Sequence, residues 1–489
     1  MTGRASAQIY RRLIATLAAS TALVGAATAA QAGTPAAIPA NMLPQGGHFV
    51  AGSGSIGTQG LTETITQTSQ RGIIDFNSFS IGKSGTVKIN NGVGATLDRV
   101  TGGSLSQIFG TLSATGSVYL VNPQGVVVGK SGLVTTGGSF VASSLDIANQ
   151  NFMAGQTLRF KGKGAADGMV KNLGSISSSG GDVFLIARSV TNAGSINAPN
   201  GTVGLGAGQE VLLKDMSVAG GRMSVRLGKG NVRNKGAIAA AQAELRAAGG
   251  NVYALAGNHT GMIRATGSVM RGGHVWLTAG GSVFASGPIV TRNHDGSGGR
   301  VTIRAAKLAK VTGRIDVSST PAARSRAGGN PDSRNGGKNS MPAFAGMSGG
   351  GPGTSSEAGG TVIITGHDVM LGKNAVIDAS GTGAGGTILI GGDRQGGAVA
   401  AQDFSTHRIA NAQTTTVEAG AQILADGGAG GGTGTGGNVV VWSDKHTVFA
   451  GAISVRGGAQ GGDGGFVETS SHGVLDFIGT ADRLAPKGK

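Results

Sequence analysis

An all-β chain wound as a parallel β-helix, or β-solenoid, is the fold that the sequence predicts, and three observations predict it. Glycine is abundant while aromatic and charged residues are scarce: 94 of 489 residues are Gly, 4% are aromatic and 13% are charged. Such a composition describes a repetitive, turn-dense chain better than a set of compact enzymes. A Gly-Gly-Xaa-Val/Ile phrase recurs at Gly180, Gly249, Gly272, Gly298, Gly359, Gly385, Gly436 and Gly464, with neighbouring copies often 23 to 28 residues apart. Behind each phrase, aliphatic residues repeat with a period of two.

Aligned on the glycines, one face holds Val183/Leu185, Val252/Ala254, Val275/Leu277, Val301/Ile303, Val362/Ile364, Ile388/Ile390 and Val439/Val441. The position between them varies through Phe184, Tyr253, Trp276, Thr302 and Val440. The constant face should point inward, where stacked aliphatic side chains lie about 4.8 Å apart along the axis. Gly pairs suit the corners because they accept positive φ and carry no side chain to clash. A second phrase, Gly-Ser/Ala-Ile, occurs at Gly174, Gly194, Gly236 and Gly451. At roughly 20 to 25 residues per coil, the chain predicts about 20 coils and a rod on the order of 100 Å long.

The elements follow in order. Residues 1–32 read as a signal peptide: Arg4, Arg11 and Arg12 precede an apolar run over 13–30, and Ala30-Gln31-Ala32 places cleavage before Gly33. No stop-transfer pattern follows, so the mature chain is expected to carry no transmembrane segment. Residues 42–63 should cap the first coil, with His48-Phe49-Val50 as a short covering strand. Then comes Val118-Tyr-Leu-Val-Asn122-Pro123-Gln124-Gly125-Val-Val-Val-Gly129, which reads as strand, turn, strand. Pro123 presets φ at the second turn position, and the Asn122 side chain can accept from a downstream backbone N–H. With Gly125 fourth, the set predicts a type I turn, and Gln124 disfavours type II because it resists a left-handed backbone.

Five separated segments carry a resemblance. They are Arg71-Gly-Ile-Ile-Asp-Phe-Asn-Ser-Phe79-Ser-Ile-Gly82, Leu97-Asp-Arg99-Val-Thr-Gly-Gly103, Ser106-Gln-Ile108-Phe-Gly110, the Asn-Pro segment, and Val141-Ala-Ser-Ser-Leu-Asp146-Ile147. In this order they resemble the filamentous haemagglutinin-type N-terminal domain of two-partner secretion exoproteins and adhesins, over residues 47–147. The resemblance implies a right-handed parallel β-helix. It also implies an outer-membrane two-partner secretion transporter whose periplasmic POTRA modules read the exported chain, and a secretion-recognition turn at Asn122, Pro123 and Gly125. Gln124 stands where the family usually has a second Asn, and Asn90-Asn91-Gly92-Val93 is a loose candidate for another recognised element.

The implied domain organisation is a signal peptide over 1–32, the secretion domain over 33–150, β-helix repeats over 151–318, a flexible Gly/Ser-rich insertion over 319–360, further repeats over 361–478 and a mobile C-terminal tail over 479–489. There is no Cys, so stability has to come from backbone ladders and stacked apolar side chains. The implied location is secreted, at the surface of a Gram-negative cell.

Net charge is +16; removing the three leader arginines leaves 37 basic against 24 acidic residues, or +13. That balance favours an anionic glycan or host-surface receptor, whereas the lack of a basic-aromatic motif argues against nucleic acid as the primary partner. Tyr253 and Trp276, placed on one outward face of successive coils, are candidate glycan contacts. No catalytic group, cofactor or metal is expected: His48, His259, His274, His294, His367, His407, His446 and His472 show no ligand spacing. The alternative to a non-enzymatic adhesin is a polysaccharide lyase or glycosidase on the same fold. It would need Asp182, Asp316, Asp368, Asp378 and Asp393 to cluster across coils.

Overall fold

The computed structural model describes residues 38–155, 157–162, 168–214, 221–256, 261–319, 357–397 and 409–489. The expected signal peptide, most of the expected insertion over 319–360, His259 and His407 lie outside the described residues.

The chain is a right-handed parallel β-helix in which each coil lays down strands on three faces. The first face runs from Thr62–Gln67 through Thr86–Asn90 and Thr111–Ala114 to Ala452–Ser454 and Thr480–Asp482. The second runs from Arg71–Phe76 through Ala95–Val100 and Ser117–Val121 to Asn438–Ser443 and Phe466–Ser471. The third is a 12-stranded ladder from Ser106–Ile108 and Gly125–Val128 to Val474–Phe477. Ser195–Ala207 and Ala237–Ala247 run unbroken through the first two faces, which therefore join in one 27-stranded sheet.

The predicted inward ladder is present. Val183/Leu185, Val203/Leu205, Ala243/Leu245, Val275/Leu277, Val301/Ile303, Val362/Ile364, Ile388/Ile390 and Val439/Val441 pair in register on the second face, each essentially inaccessible to solvent. Burying such stacks coil upon coil removes apolar surface from water without enlarging a globular core. The glycines act through lack of room: a Cβ at Gly437 would lie 2.7 Å from the backbone carbon of Gly385 in the coil below, although φ there is ordinary.

Four expectations need correction. Gly249-Gly250 leads into Val252–Ala254 on the third face, since Val252 and Ala254 pair with Val283 and Ala285. The phrase marks a corner, and in that coil the unbroken strand Ala237–Ala247 has moved the glycine corner one position on. The coils number about a dozen, given the 12 strands of the third face, for an axial length of about 60 Å. Residues were spent elsewhere. Mostly within 151–318, expected to be all repeats, but beginning just before it, an antiparallel sheet of Asp146–Ile147, Leu158–Lys161, Glu210–Leu213 and Met223–Arg226 forms a lobe outside the solenoid, with the short helix Asn149–Ala154. Finally, Thr480–Asp482 is paired with Ala452–Ser454 and extends the ladder onto residues expected to be a loose tail.

The N-terminal cap forms as expected. His48–Ala51 lies antiparallel on Arg71–Phe76, and Gly54–Gln59 lies antiparallel on Thr62–Gln67, so reversed strands cover the first coil's open edge.

Candidate recognition turn and the lobe beside it

Residues 122–125 turn the chain from the second face to the third. The Asn122 carbonyl accepts from Gly125 N at 2.8 Å, closing the turn, and Asn122 Oδ1 accepts from Gln124 N at 2.9 Å. Gln124 is absent from the positive-φ residues, which fits the type I geometry expected. Gly125 has φ +111, and a Cβ there would lie 3.0 Å from Met169 N in the next coil.

Asn122 itself is wholly buried. Its Nδ2 donates to the Ser104 carbonyl at 2.8 Å and to Ser106 Oγ at 2.9 Å, and its N–H donates to the Ser143 carbonyl at 2.9 Å. The residue thus ties three coils together at one corner, while Gln124 alone of the four is exposed. Asn91, at the corner between the first and second faces, ties its coil to the next, donating to Thr96 Oγ1 and the Ser117 carbonyl, both at 2.9 Å, and accepting from Gly116 N at 2.7 Å.

The other family-like segments alternate inward and outward as strands require. Ile74, Phe76, Phe79, Asp98 and Val100 point into the core, with Phe76 and Phe79 edge to face at 5.1 Å. Arg71, Asp75 and Arg99 point out toward the lobe. Arg99 meets Asp146 at 3.0 Å and Asp75 at 3.7 Å, and donates to the Ile147 carbonyl and to Asn149 Oδ1, both at 2.7 Å. Arg71 donates to the Phe152 carbonyl at the helix C-terminus at 2.9 Å, where a cation suits the dipole. Segments far apart in sequence therefore converge on the root of the lobe, above an apolar cluster that includes Ile73, Leu97, Val121, Phe152, Phe160 and Phe184.

Two buried acids sit in the first coils. Glu63 is pushed up by burial from 4.5 to about 7, and Asp98 is raised well above the ordinary range by burial and then by Glu63. Neither Asp98 oxygen has a hydrogen-bond partner.

Tyr253 and Trp276 are not on one face: Tyr253 stands on the third and Trp276 on the second. The ring faces are occupied. Tyr253 lies between the Arg233 guanidinium at 4.8 Å and the parallel ring of Phe284 at 5.2 Å, and Trp276 stacks on His274 at 3.5 Å. Of the five acids an enzyme would need, adjacent coils bring together only Asp316 and Asp378. Arg314 bridges them at 3.6 and 2.6 Å. Burial would raise the Asp316 carboxyl, but hydrogen bonds from Ser318 and the cations Arg292 and Arg314 hold it low, unlike a general acid. Asp182 pairs with Arg222 and Arg271, Asp368 with Thr414 and His367, and the Asp393 carboxylate accepts from Arg394 N.

One internal device has only a faint signature in the sequence. Asn172, Asn192 and Asn234 stack inside the third face, each Nδ2 donating to the next Oδ1 at 2.8 Å. The signal is Asn-Xaa-Gly-Ser/Ala-Ile, because each Asn precedes a Gly of the second phrase by two residues.

Comparison with known proteins places this geometry. A heme/hemopexin-binding protein of Haemophilus influenzae is 38% identical over 103 residues, 21% of this chain and 11% of its own length; another is 40% identical over 86 residues, 17% of this chain and 9% of that protein. The chain therefore spans about a tenth of the length of these relatives. The crystal structure of the HMW1 secretion domain from Haemophilus influenzae superposes with a TM-score of 0.58 at 25% identity, covering 90% of this chain and all of that one. The TPS secretion domain family matches residues 40–289, which take in the cap, the Asn122 turn and the lobe, and the chain belongs to that family, whose members are secreted exoproteins of Gram-negative bacteria.

Proposed function

We propose that the chain is an exoprotein exported by a dedicated outer-membrane transporter, whose periplasmic POTRA modules read the N-terminal coils, and that the solenoid then serves in adhesion to a glycan or host surface. The supporting observation is the convergence of the five family-like segments on one unit, in which Asn122 and Arg99 lock the first coils and the lobe together. Because Asn122 is buried in the folded protein, its side chain is available to the transporter only before folding. Asn122, Pro123 and Gly125 thus serve twice, first as an address in the extended chain and later as a corner of the solenoid.

The absence of disulfides suits passage of an unfolded chain, and parallel ladders suit folding by addition of coils after exit. Adhesion would use the outward faces and the positive charge, +13 once the three leader arginines are taken from the basic residues. At Tyr253 and Trp276 a glycan would meet ring edges and the neighbouring Arg233 and Arg246, since the ring faces are covered. The test is secretion of Asn122→Ala/Pro123→Ala in cells holding the matching transporter. Accumulation in the periplasm with the leader removed is expected, and normal export would overturn the assignment.

A further inference from the structure

A cavity of about 190 Å³ lies where the lobe meets the second face of the solenoid. Its wall includes Arg71, Tyr119, Asp182, Lys214 and Arg222. None of these belongs to the Asn122 turn, so a role for the cavity stands or falls independently of the export reading.

The wall carries three cations and one carboxylate. Asp182 already meets Arg222 and Arg271, each at 3.0 Å, and accepts from Thr202 N at 2.7 Å. Its charge is consequently neutralised within the wall, and positive charge is left facing the cavity. Arg222 Nε is buried without an acceptor. Arg71 spends one N–H on Phe152 and lies over that ring at 5.1 Å. The rest of its fork runs along Gly155, where a Cβ would come within 2.9 Å of Nε and Nη2. Burial raises the Tyr119 phenol, with Arg71 and Arg222 opposing and Asp182 assisting, so its O–H stays a donor at neutral pH. Lys214 adds a fourth group with no carboxylate partner among the described residues.

We propose that this cavity binds a small oxyanion, a carboxylate, phosphate or sulfate group, held by Arg71, Arg222, Lys214 and the Tyr119 hydroxyl. Planar guanidinium forks suit such groups because two parallel N–H donors meet two oxygens. The cavity takes one such group with at most a single sugar ring, so the source is a free ion or the acidic terminus of a glycan.

The test is calorimetric titration of the full chain with inorganic phosphate and, separately, with N-acetylneuraminic acid, chloride holding ionic strength constant. Saturable binding is expected in the wild type, weakened about tenfold in both Lys214→Gln and Tyr119→Phe. Circular dichroism and protease resistance of the lobe confirm that each variant is folded. Neuraminate binding that phosphate displaces identifies a glycan terminus, whereas phosphate binding alone identifies a free-ion site. No saturable binding of either at millimolar concentration, or equal affinity in wild type and both folded variants, would overturn the proposal.

Discussion

The first coils and the last are built on one backbone plan but filled differently. Over residues 62–143 the interior includes Glu63, Gln67, Asn91, Thr96, Asp98 and Asn122, all buried. In the later coils the second face buries Val362, Ile364, Ile388, Ile390, Val439 and Val441 in register. Aliphatic ladders stack well but resemble one another, so they define a coil without saying which coil it is. The hydrogen-bonded groups among the buried polar residues of the first coils, Gln67, Asn91, Thr96 and Asn122, accept only one set of partners, and they fix the register of these coils.

The largest expected effect is at the corner. Asn122→Ala leaves the Ser104 carbonyl and Gln124 N without side-chain partners, and a loss of about 4 kcal/mol in chemical denaturation is expected, with the first coils losing hydrogen-exchange protection together. The matching change in the later coils, Ile388→Ala, opens a cavity costing about 3 kcal/mol. Its loss of protection should stay within the neighbouring coils, as expected of a stack with nearest-neighbour coupling. If both variants lose protection over the same residues, the two regions do not differ as described.

The buried acids give a smaller, pH-dependent contrast. Their folded values lie above their unfolded ones, so folding takes up protons. Stability is whole below about pH 4 and is lost as pH rises through about 7 at Glu63. Glu63→Gln should flatten this dependence and stabilise the protein by about 2 kcal/mol near pH 8, read from urea midpoints. A variant with the wild-type slope would remove Glu63 as its source. Smallest of all, Trp276→Ala, half-buried against His274, should cost no more than about 1 kcal/mol.

The ladders were legible because Gly-Gly followed by alternating aliphatic residues reports a corner and an inward strand. Which of three corners was not legible. At Gly249 the unbroken strand before it shifted the count, and the same shift placed Tyr253 on the third face. The lobe was hidden for a different reason: Leu158–Lys161 pairs antiparallel with Glu210–Leu213, and no short-range pattern announces a partner about fifty residues away. The Asn122 turn could be read down to its Asx bond, because Asn, Pro and Gly each act on their own backbone. Its burial could not, since Ser104, Ser106 and Ser143 reach it from other coils.

The dual use proposed for the Asn122 corner is tested most directly by measuring how the periplasmic modules of the proposed transporter bind the chain, once freshly diluted from denaturant and once folded. Tight binding of the unfolded chain, weakened at least about tenfold by Asn122→Ala/Pro123→Ala, with little binding once the solenoid has formed, is the expected result. Equal binding of folded and unfolded chains, or an unfolded double variant that binds as the wild type does, would contradict it.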